Sequence, residues 1–478
     1  MYSCPALSYY NIFFMNTLSS QSFLPVPPAP PGENFLHEDA SVPAAPHPVD
    51  TTERIKTVDL VRGLALFGIL LMNITGFGID GGEFFTILKG PHNTADYQTL
   101  LVIETFFSGT MRGLFSMLFG AGMILFTFNK KEAPGGVTVA EYYYRRLLWL
   151  VIFGMFNAYI LLWDGDILFY YGLCGMLLYP FRNTKPKWLI LIGILCIGIG
   201  VFKNMLWYNE TRETRANYLE AAAAKKANKT LTEEQTTAKT NWLEMEKRQQ
   251  ADTVRSNRNI KKMHSGYGTI FNYFIPRNSG NETWGMYHGI WDMISMMFIG
   301  MGLLMLGFFS NKLSTSTYSL TLLLGYGVGV PLGYIMFTRG LVDSLDIGRY
   351  VDSFSVPHWV LYDLRRILLC LGHASLLMLI YRSRVVPWLM KSLSDVGQMA
   401  FTNYLMQSII CTWIFYGYGF NNYNEIKFHQ LYYVVGAVWV FQLIFSTIWL
   451  KYYRFGPFEW VWRSLTYGKK QPMLKSKN

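Results

Sequence analysis

Residues 147–187 read LLWLVIFGMFNAYILLWDGDILFYYGLCGMLLYPFRNTKPK. Two apolar runs, Leu147–Leu162 and Ile167–Tyr179, flank the tetrapeptide Trp163-Asp164-Gly165-Asp166. Arg145 and Arg146 precede the first run, and Arg182, Lys185 and Lys187 follow the second. The pattern is a membrane helical hairpin with basic ends on one side and an acidic turn on the other. A carboxylate near a bilayer interior is costly to desolvate, so Asp164 and Asp166 are candidate functional groups. The plainer reading is a solvated turn in which Asp166 caps the next helix and complements its dipole. Asp164 has no such local partner and is expected to act as a general base.

Working outward, the same grammar recurs. Hydrophobic residues make up 51% of the 478 residues and charged residues only 15%, which excludes an ordinary soluble fold. The net charge of +11 comes from residues at helix ends and in the tail, with no basic stripe of interleaved aromatics, so a nucleic-acid partner is not expected. The chain predicts an all-α, polytopic integral membrane protein with about ten transmembrane helices and an external helical insertion. The spans are Val58–Ile79, Tyr97–Phe128 (broken near Ser108–Gly109), the two hairpin helices, Trp188–Leu206, Trp284–Phe309, Leu320–Phe337, Pro357–Tyr381, Trp388–Tyr416 and Leu431–Tyr452. Residues 1–52 are Pro-rich and predicted disordered, without the basic start and cleavage site of a signal peptide. The organisation is then 53–207 for the first five spans, 208–283 for a charged, Ala-rich external insertion, 284–467 for the remaining spans and an interfacial aromatic segment, and 468–478 for a basic disordered tail.

Loop charges set the orientation. Lys130, Lys131, Arg145, Arg146, Arg182, Lys185, Lys187, Lys312, Arg382, Arg384 and Lys391 fall on one side, Lys89, Arg339, Arg349 and Lys427 on the other. Both termini are therefore expected in the cytoplasm and the acidic turn outside, in a cytoplasmic (inner) membrane. His92 falls on the same outer side and could serve a carboxylate as a general base. Asp59 and Arg62 share a helix face and can pair, and Asn73 sits near the far end of that helix. Gly120 and Gly122 would permit close helix approach. Asp292 lies two turns into a span. Asp363, Arg365 and Arg366 could be a structural ion cluster or a grip for an anionic group. His373 reads as a core histidine. Asn403 and Gln407, four apart on one face, should bond to neighbouring helices, or else contribute to a binding site. Neither phosphate loop, nucleotide fingerprint nor metal-ligand spacing is present, which argues against an ATP-driven pump and a metal site.

Five stretches carry a family resemblance: VDLVRGLALFGILLMNI (58–74), FSMLFGAG (115–122), LLWDGDILFYYGLCGM (161–176), MAFTNYLMQSIICTWIFY (399–416) and FSTIWLKYYRFGPFEWVWRSLT (445–466). In them the chain resembles the YeiB family of bacterial multi-spanning membrane proteins, a domain of unknown function, over roughly residues 54–467. That family is grouped with membrane-embedded acyltransferases, including the lysosomal enzyme that acetylates terminal glucosamine of heparan sulfate. The opening D-x-x-R-G helix, here Asp59, Arg62 and Gly63, is part of the likeness. The resemblance implies transfer of an acyl group from cytoplasmic acyl-CoA to an extracytoplasmic acceptor. Arg62 would attract the CoA phosphates, and Asp164 or Asp166, with His92, would act on the acceptor. The alternative is a secondary transporter of a small solute, possibly anionic, with Asp292, His373 and Gln407 at a midplane site. Inverted repeats, which a transporter would favour, are not visible. A homo-oligomer stays open.

Overall fold

In the computed structural model, residues 55–127, 138–249, 253–341 and 345–475 are described. The 1–52 leader lies outside them. Among the described residues every regular element is helical, apart from one isolated bridge between Tyr453 and Leu474.

The organising helix is α1 (Lys56–Gly78), apolar on nearly every side and buried along most of its length. Around it pack α4 (Thr110–Thr127), α15 (Pro387–Gln398), α16 (Ala400–Phe415) and α17 (Phe428–Tyr452). Hydrocarbon tails are as apolar as leucine, so such helices associate through close packing. At the α1–α15 crossing a Cβ on Gly63 would collide with the Leu393 carbonyl, and one on Gly397 with the Asp59 carbonyl. The crossing of α4 with α11 (Met286–Met305) is equally tight, with Gly120 against Met297 and Gly300 against Met117. Gly122 was expected to share this role but faces open space.

Among the described residues seven helical segments are long and apolar enough to cross a bilayer, with shorter apolar helices beside them. Three of the expected spans are built from shorter or more polar helices. Leu147–Leu162 belongs to α5 (Val139–Tyr159), which carries Glu141, Arg145 and Arg146 in its first turns. Its partner α6 (Leu168–Leu178) has only 11 residues, so the acidic turn dips into the bundle. Trp388–Tyr416 is split at Met399 into α15 and α16. There the Glu459 carboxylate on α18 (Pro457–Tyr467) accepts the backbone N–H groups of Phe401 (2.7 Å) and Thr402 (3.0 Å), capping α16 from a distant element.

The expected break at Ser108–Gly109 is present. It separates α3 (Ala95–Phe106) from α4, and Gly109 adopts φ +69 where the Tyr362 hydroxyl leaves no room for a side chain. The boundary expected at residue 208 is not a break. α7 (Pro186–Lys226) runs unbroken for 41 residues, from exposed apolar residues such as Ile194, Leu195 and Phe202 into the insertion. There α8 (Glu233–Gln249) packs on it through Trp242, and α9 (Thr253–Met263) returns toward the bundle. α10 (Tyr267–Gly280) begins at the expected Gly-Tyr-Gly joint but continues through a π-helical turn at Asn281–Gly285 straight into α11. α12 (Thr315–Ile335) and α14 (Tyr362–Ser383) pair at the other flank. Part of the tail expected to be disordered is ordered: Arg454 donates to Met473 and Lys475 to Tyr452 beyond the end of α17.

The start of α1 and α18 lie on one side, here the terminal face; α8 and α9 project from the other, the insertion face. Replacing Gly120 by Leu should overpack the α4–α11 crossing and cost about 1–3 kcal/mol or more, while Gly122→Leu should be near neutral. Thermal unfolding of the two variants in one detergent checks this; equal losses would disprove the assigned crossing.

Candidate functional site inside the helix bundle

The acidic turn is built by small and polar residues of α5. Gly154 lacks the side chain that would strike the Phe169 backbone, so the start of α6 lies directly on α5. Asn157, one turn further on, donates from Nδ2 to Asp166 Oδ1 at 2.8 Å. The Phe169 N–H donates to Asp166 Oδ2 at 2.9 Å, which is the helix cap expected of Asp166. The Tyr404 hydroxyl of α16 approaches Asp166 Oδ1 at 3.4 Å and accepts the Ile167 N–H at 3.1 Å. Asp166 is buried, and Trp163 is stacked on Phe77 with ring centroids 3.8 Å apart. Beside this carboxylate, Asn157 Oδ1 is buried and has no hydrogen-bond partner, while the Trp163 side chain is turned to the Tyr404 hydroxyl. Buried polar atoms are nearly always satisfied, so unmatched ones mark a place for a polar partner.

Asp164 departs from expectation. It is not without a partner: Arg277 of α10 grips its Oδ2 from Nη2 (2.6 Å) and Nε (3.1 Å), and Arg277 also bonds the Tyr273 hydroxyl. This half-exposed pair fastens the end of the insertion over the turn. Asn281 adds a bond to the Asp164 carbonyl at 2.9 Å. His92 is exposed and stacked on Tyr97, and among the described residues no hydrogen bond joins it to either aspartate. The expected alliance of His92 with the acidic turn is therefore absent from the geometry.

A second group of charges sits where three helices meet. Arg112 of α4 donates to Asp292 Oδ2 of α11 at 2.9 Å, and Arg366 of α14 pairs with Asp292 Oδ1 and with Asp363 Oδ1 (2.5 Å). Arg365 instead satisfies carbonyls released by the α3–α4 break, those of Glu104 (2.9 Å) and Ser108 (2.5 Å). Tyr362 lies under both guanidiniums, 5.4 Å from Arg365 and 5.3 Å from Arg366. His373 is held between Tyr326 (2.7 Å) and the Phe106 carbonyl (3.1 Å), as a satisfied core histidine would be.

Tyr171 joins the two places. Its hydroxyl contacts Ser116 at 2.7 Å and donates to the Arg112 carbonyl at 3.2 Å. The adjacent Tyr170 lies within Coulombic reach of both Asp166 and Arg112. The acidic turn and the arginine cluster are thus two ends of one polar region inside the bundle.

At the terminal face Asp59 and Arg62 form the expected ion pair. Arg146 lies close enough to Arg62 for Coulombic interaction, and no carboxylate contacts it among the described residues. Its guanidinium covers the Trp462 ring at 4.2 Å. From there an aromatic seam follows α5 and α16 inward: Trp462 on Phe401 (5.3 Å), Phe401 on Phe153 (5.0 Å), then Tyr404 at Asp166. Asn403 and Gln407 lie outside this seam, tied to Ser446 (2.9 Å) and Gln442 (3.1 Å) of α17 as helix–helix bonds. Asn73 is half-buried on α1, away from these contacts.

Sequence reasoning passed over Arg112, Arg146, Arg277, Asn157 and Tyr404 as site residues. For Asn157 and Arg112 a signal existed, since each is the lone strongly polar side chain in an apolar helical run. For Arg277 and Tyr404 none did.

Apolar helices enclosing buried ion pairs and an inward-dipping acidic turn define a polytopic α-helical membrane protein. The chain belongs to the YeiB family. YxaH of Bacillus subtilis (strain 168) is 30% identical over 448 residues, 90% of this chain and 98% of the relative. YeiB of Escherichia coli (strain K12) is 30% identical over 424 residues, 87% and 96%. An uncharacterized 39.9 kDa protein from the amylase 3' region of Bacillus acidopullulyticus is 26% identical over 440 residues, 90% and 99%. A family described as "Protein of unknown function (DUF418)" matches residues 303–469. No solved structure matches the chain.

Among the described residues Asp292 is the only carboxylate that touches both Arg112 and Arg366. Asp292→Ala should therefore destabilise the bundle by about 3–5 kcal/mol, since two buried cations lose a partner, and Asp292→Asn should cost less. Unfolding midpoints in detergent measure the difference; an unchanged midpoint for Asp292→Ala would contradict the cluster's structural role.

Proposed function

We propose that this chain is a membrane-embedded acyltransferase that takes acyl groups from acyl-CoA at the terminal face, read as cytoplasmic, and passes them to an acceptor entering from the insertion face. The observation that carries this reading is the aromatic seam from Arg62 and Arg146 to Asp166. Arg146 and Asn157 are 11 positions apart on α5, a rise of about 16 Å. The seam thus begins at guanidiniums suited to phosphate and ends at a buried carboxylate, as an extended pantetheine arm requires. The stacked rings would exclude water from the thioester.

In this mechanism the acceptor hydroxyl or amine attacks the thioester carbonyl. Its proton passes to Asp166, the carbon–sulfur bond breaks, and the departing sulfur takes that proton back from Asp166 to leave as CoA thiol, which restores the carboxylate. Asn157, the Phe169 N–H and Tyr404 fix the carboxylate's orientation. Asp164, held by Arg277, is assigned to anchoring the insertion. This moves the base assignment from Asp164, where the sequence alone had placed it, to Asp166, which keeps its cap as well.

A specific feature favours one alternative. A discontinuous span with charged residues at its break is also how secondary transporters build a solute site, and α3–α4, with Arg365 on its freed carbonyls and the Arg112–Asp292 pair beside it, has that form. The readings part in one assay. Purified protein in vesicles is given acyl-labelled CoA together with a lipid and glycan extract. Labelled acceptor and free thiol support transfer; solute flux with no covalent product supports transport and ends the acyltransferase reading.

Within the transfer reading, Asp166→Asn should lower turnover about 100-fold or more while leaving the unfolding midpoint nearly unchanged, because Asn also caps helices. Asp164→Asn should retain most of the activity. Full activity in Asp166→Asn would remove the base assignment. Arg146→Gln should raise KM for acyl-CoA about tenfold with kcat little altered, as loss of uniform donor binding does.

A further inference from the structure

The arginine cluster contains more hydrogen-bond donors than acceptors. A guanidinium has five N–H groups and no acceptor. Arg112 spends Nη2 on Asp292, Arg366 spends both Nη atoms on Asp292 and Asp363, and Arg365 spends both on the carbonyls of Glu104 and Ser108. The Nε atom of each of these three arginines is buried and has no partner. Arg365 and Arg366 are 2% and 0% exposed, so their unmatched donors are fully desolvated. The cluster is nevertheless reachable, with the side chains of Arg112 and Asp292 28% and 26% exposed. Arg112 and Arg366 contact the carboxylates of Asp292 and Asp363 directly, whereas Arg365 contacts neither. The Glu104 carboxyl is bonded to Ser108 and lies within Coulombic reach of Arg365, so the surplus is one of hydrogen-bond donors rather than of charge. Unmatched donors of cationic groups in a water-poor interior call for an oxyanion.

We propose that Arg112, Arg365 and Arg366 form a binding site for the oxyanion of a ligand, a phosphate or a carboxylate. The site lies beside the α3–α4 break, where Gly109 and Tyr362 keep the backbone turn compact. Tyr171, bonded to the Arg112 carbonyl, and Tyr170, within Coulombic reach of Arg112 and Asp166, lie between it and the acidic turn. On the acyl-transfer reading, on which this part alone rests, the ligand is the acceptor. Its anionic group docks on the arginines and its nucleophile reaches Asp166. The acceptor is then an anionic molecule rather than a neutral sugar or a neutral lipid.

The test uses the full chain in nanodiscs and in detergent. Three probes are added separately: phosphatidylglycerol, phosphatidylcholine and inorganic phosphate. Saturable thermal stabilisation is read for the wild type, Arg112→Gln and Arg112→Lys. Stabilisation by phosphatidylglycerol but not phosphatidylcholine, at least about tenfold weaker in Arg112→Gln and partly restored in Arg112→Lys, is the expected result. Stabilisation by inorganic phosphate with the same dependence on Arg112 assigns the site to a soluble phosphate-bearing ligand; stabilisation by the lipid alone assigns it to a headgroup. Equal responses in wild type and Arg112→Gln, or no response to either anion, overturns the proposal. If Arg112→Gln does not fold, Arg112→Lys against wild type decides on the same criterion. Anion binding without acyl transfer would leave the site standing and end the acyltransferase reading. Transfer to a neutral acceptor with normal kinetics in Arg112→Lys would do the reverse.

Discussion

The Asp292 carboxylate between Arg112 and Arg366 is the constraint around which the bundle is arranged. Charge in a low-dielectric interior is tolerated only when it is paired and hydrogen-bonded, so this contact fixes the relative depth of α4, α11 and α14. The glycine crossings then follow. With α4 and α11 held in that register, Gly120 and Gly300 fall at the closest approach and leave space for no larger residue. The discontinuity at Ser108–Gly109 is tolerated because Arg365 accepts the task of satisfying its carbonyls. Electrostatics and close packing thus specify the same geometry from opposite directions.

What could be read in the sequence was local. The Asp59–Arg62 pair follows from i,i+3 spacing, and the break before α4 from a Ser-Gly pair set between Glu104 and Arg112. The cap by Asp166 and the helix–helix bonds of Asn403 and Gln407 were legible for similar reasons. Contacts across the chain were not. Arg277 and Asp164 are 113 positions apart, and Arg112 and Asp292 180 apart, with nothing in either local pattern to announce the other. The division of Trp388–Tyr416 at Met399 was hidden for the same reason, because the cap comes from Glu459 on α18. α6 ends after three turns because its start is drawn inward to rest on Gly154.

The site divides along the same line. Its carboxylates stood out as isolated acids in apolar surroundings. Its arginines had looked like topology signals or structural charges, since Arg146 counted among the basic loop ends. Their setting emerges only when neighbours are known: Arg146 lies over aromatic faces, and Arg112 shares a carboxylate with a second arginine.

The unbroken course of α7 has a mechanical meaning. A helix of 41 residues, about 60 Å long, is a stiff rod, and most of the part within the bilayer faces lipid. It is footed tightly on α11, where Gly193 meets the Ser295 carbonyl one turn from Asp292 and where Gly302 meets the Pro186 carbonyl. The far end is clamped by α8 and by Arg215, whose guanidinium grips Asp352. Tilt imposed at either end is transmitted along the rod rather than absorbed at a joint. Bilayer thickness, which sets the tilt of long apolar helices, is thereby coupled to the spacing of α11 and to the charges it carries.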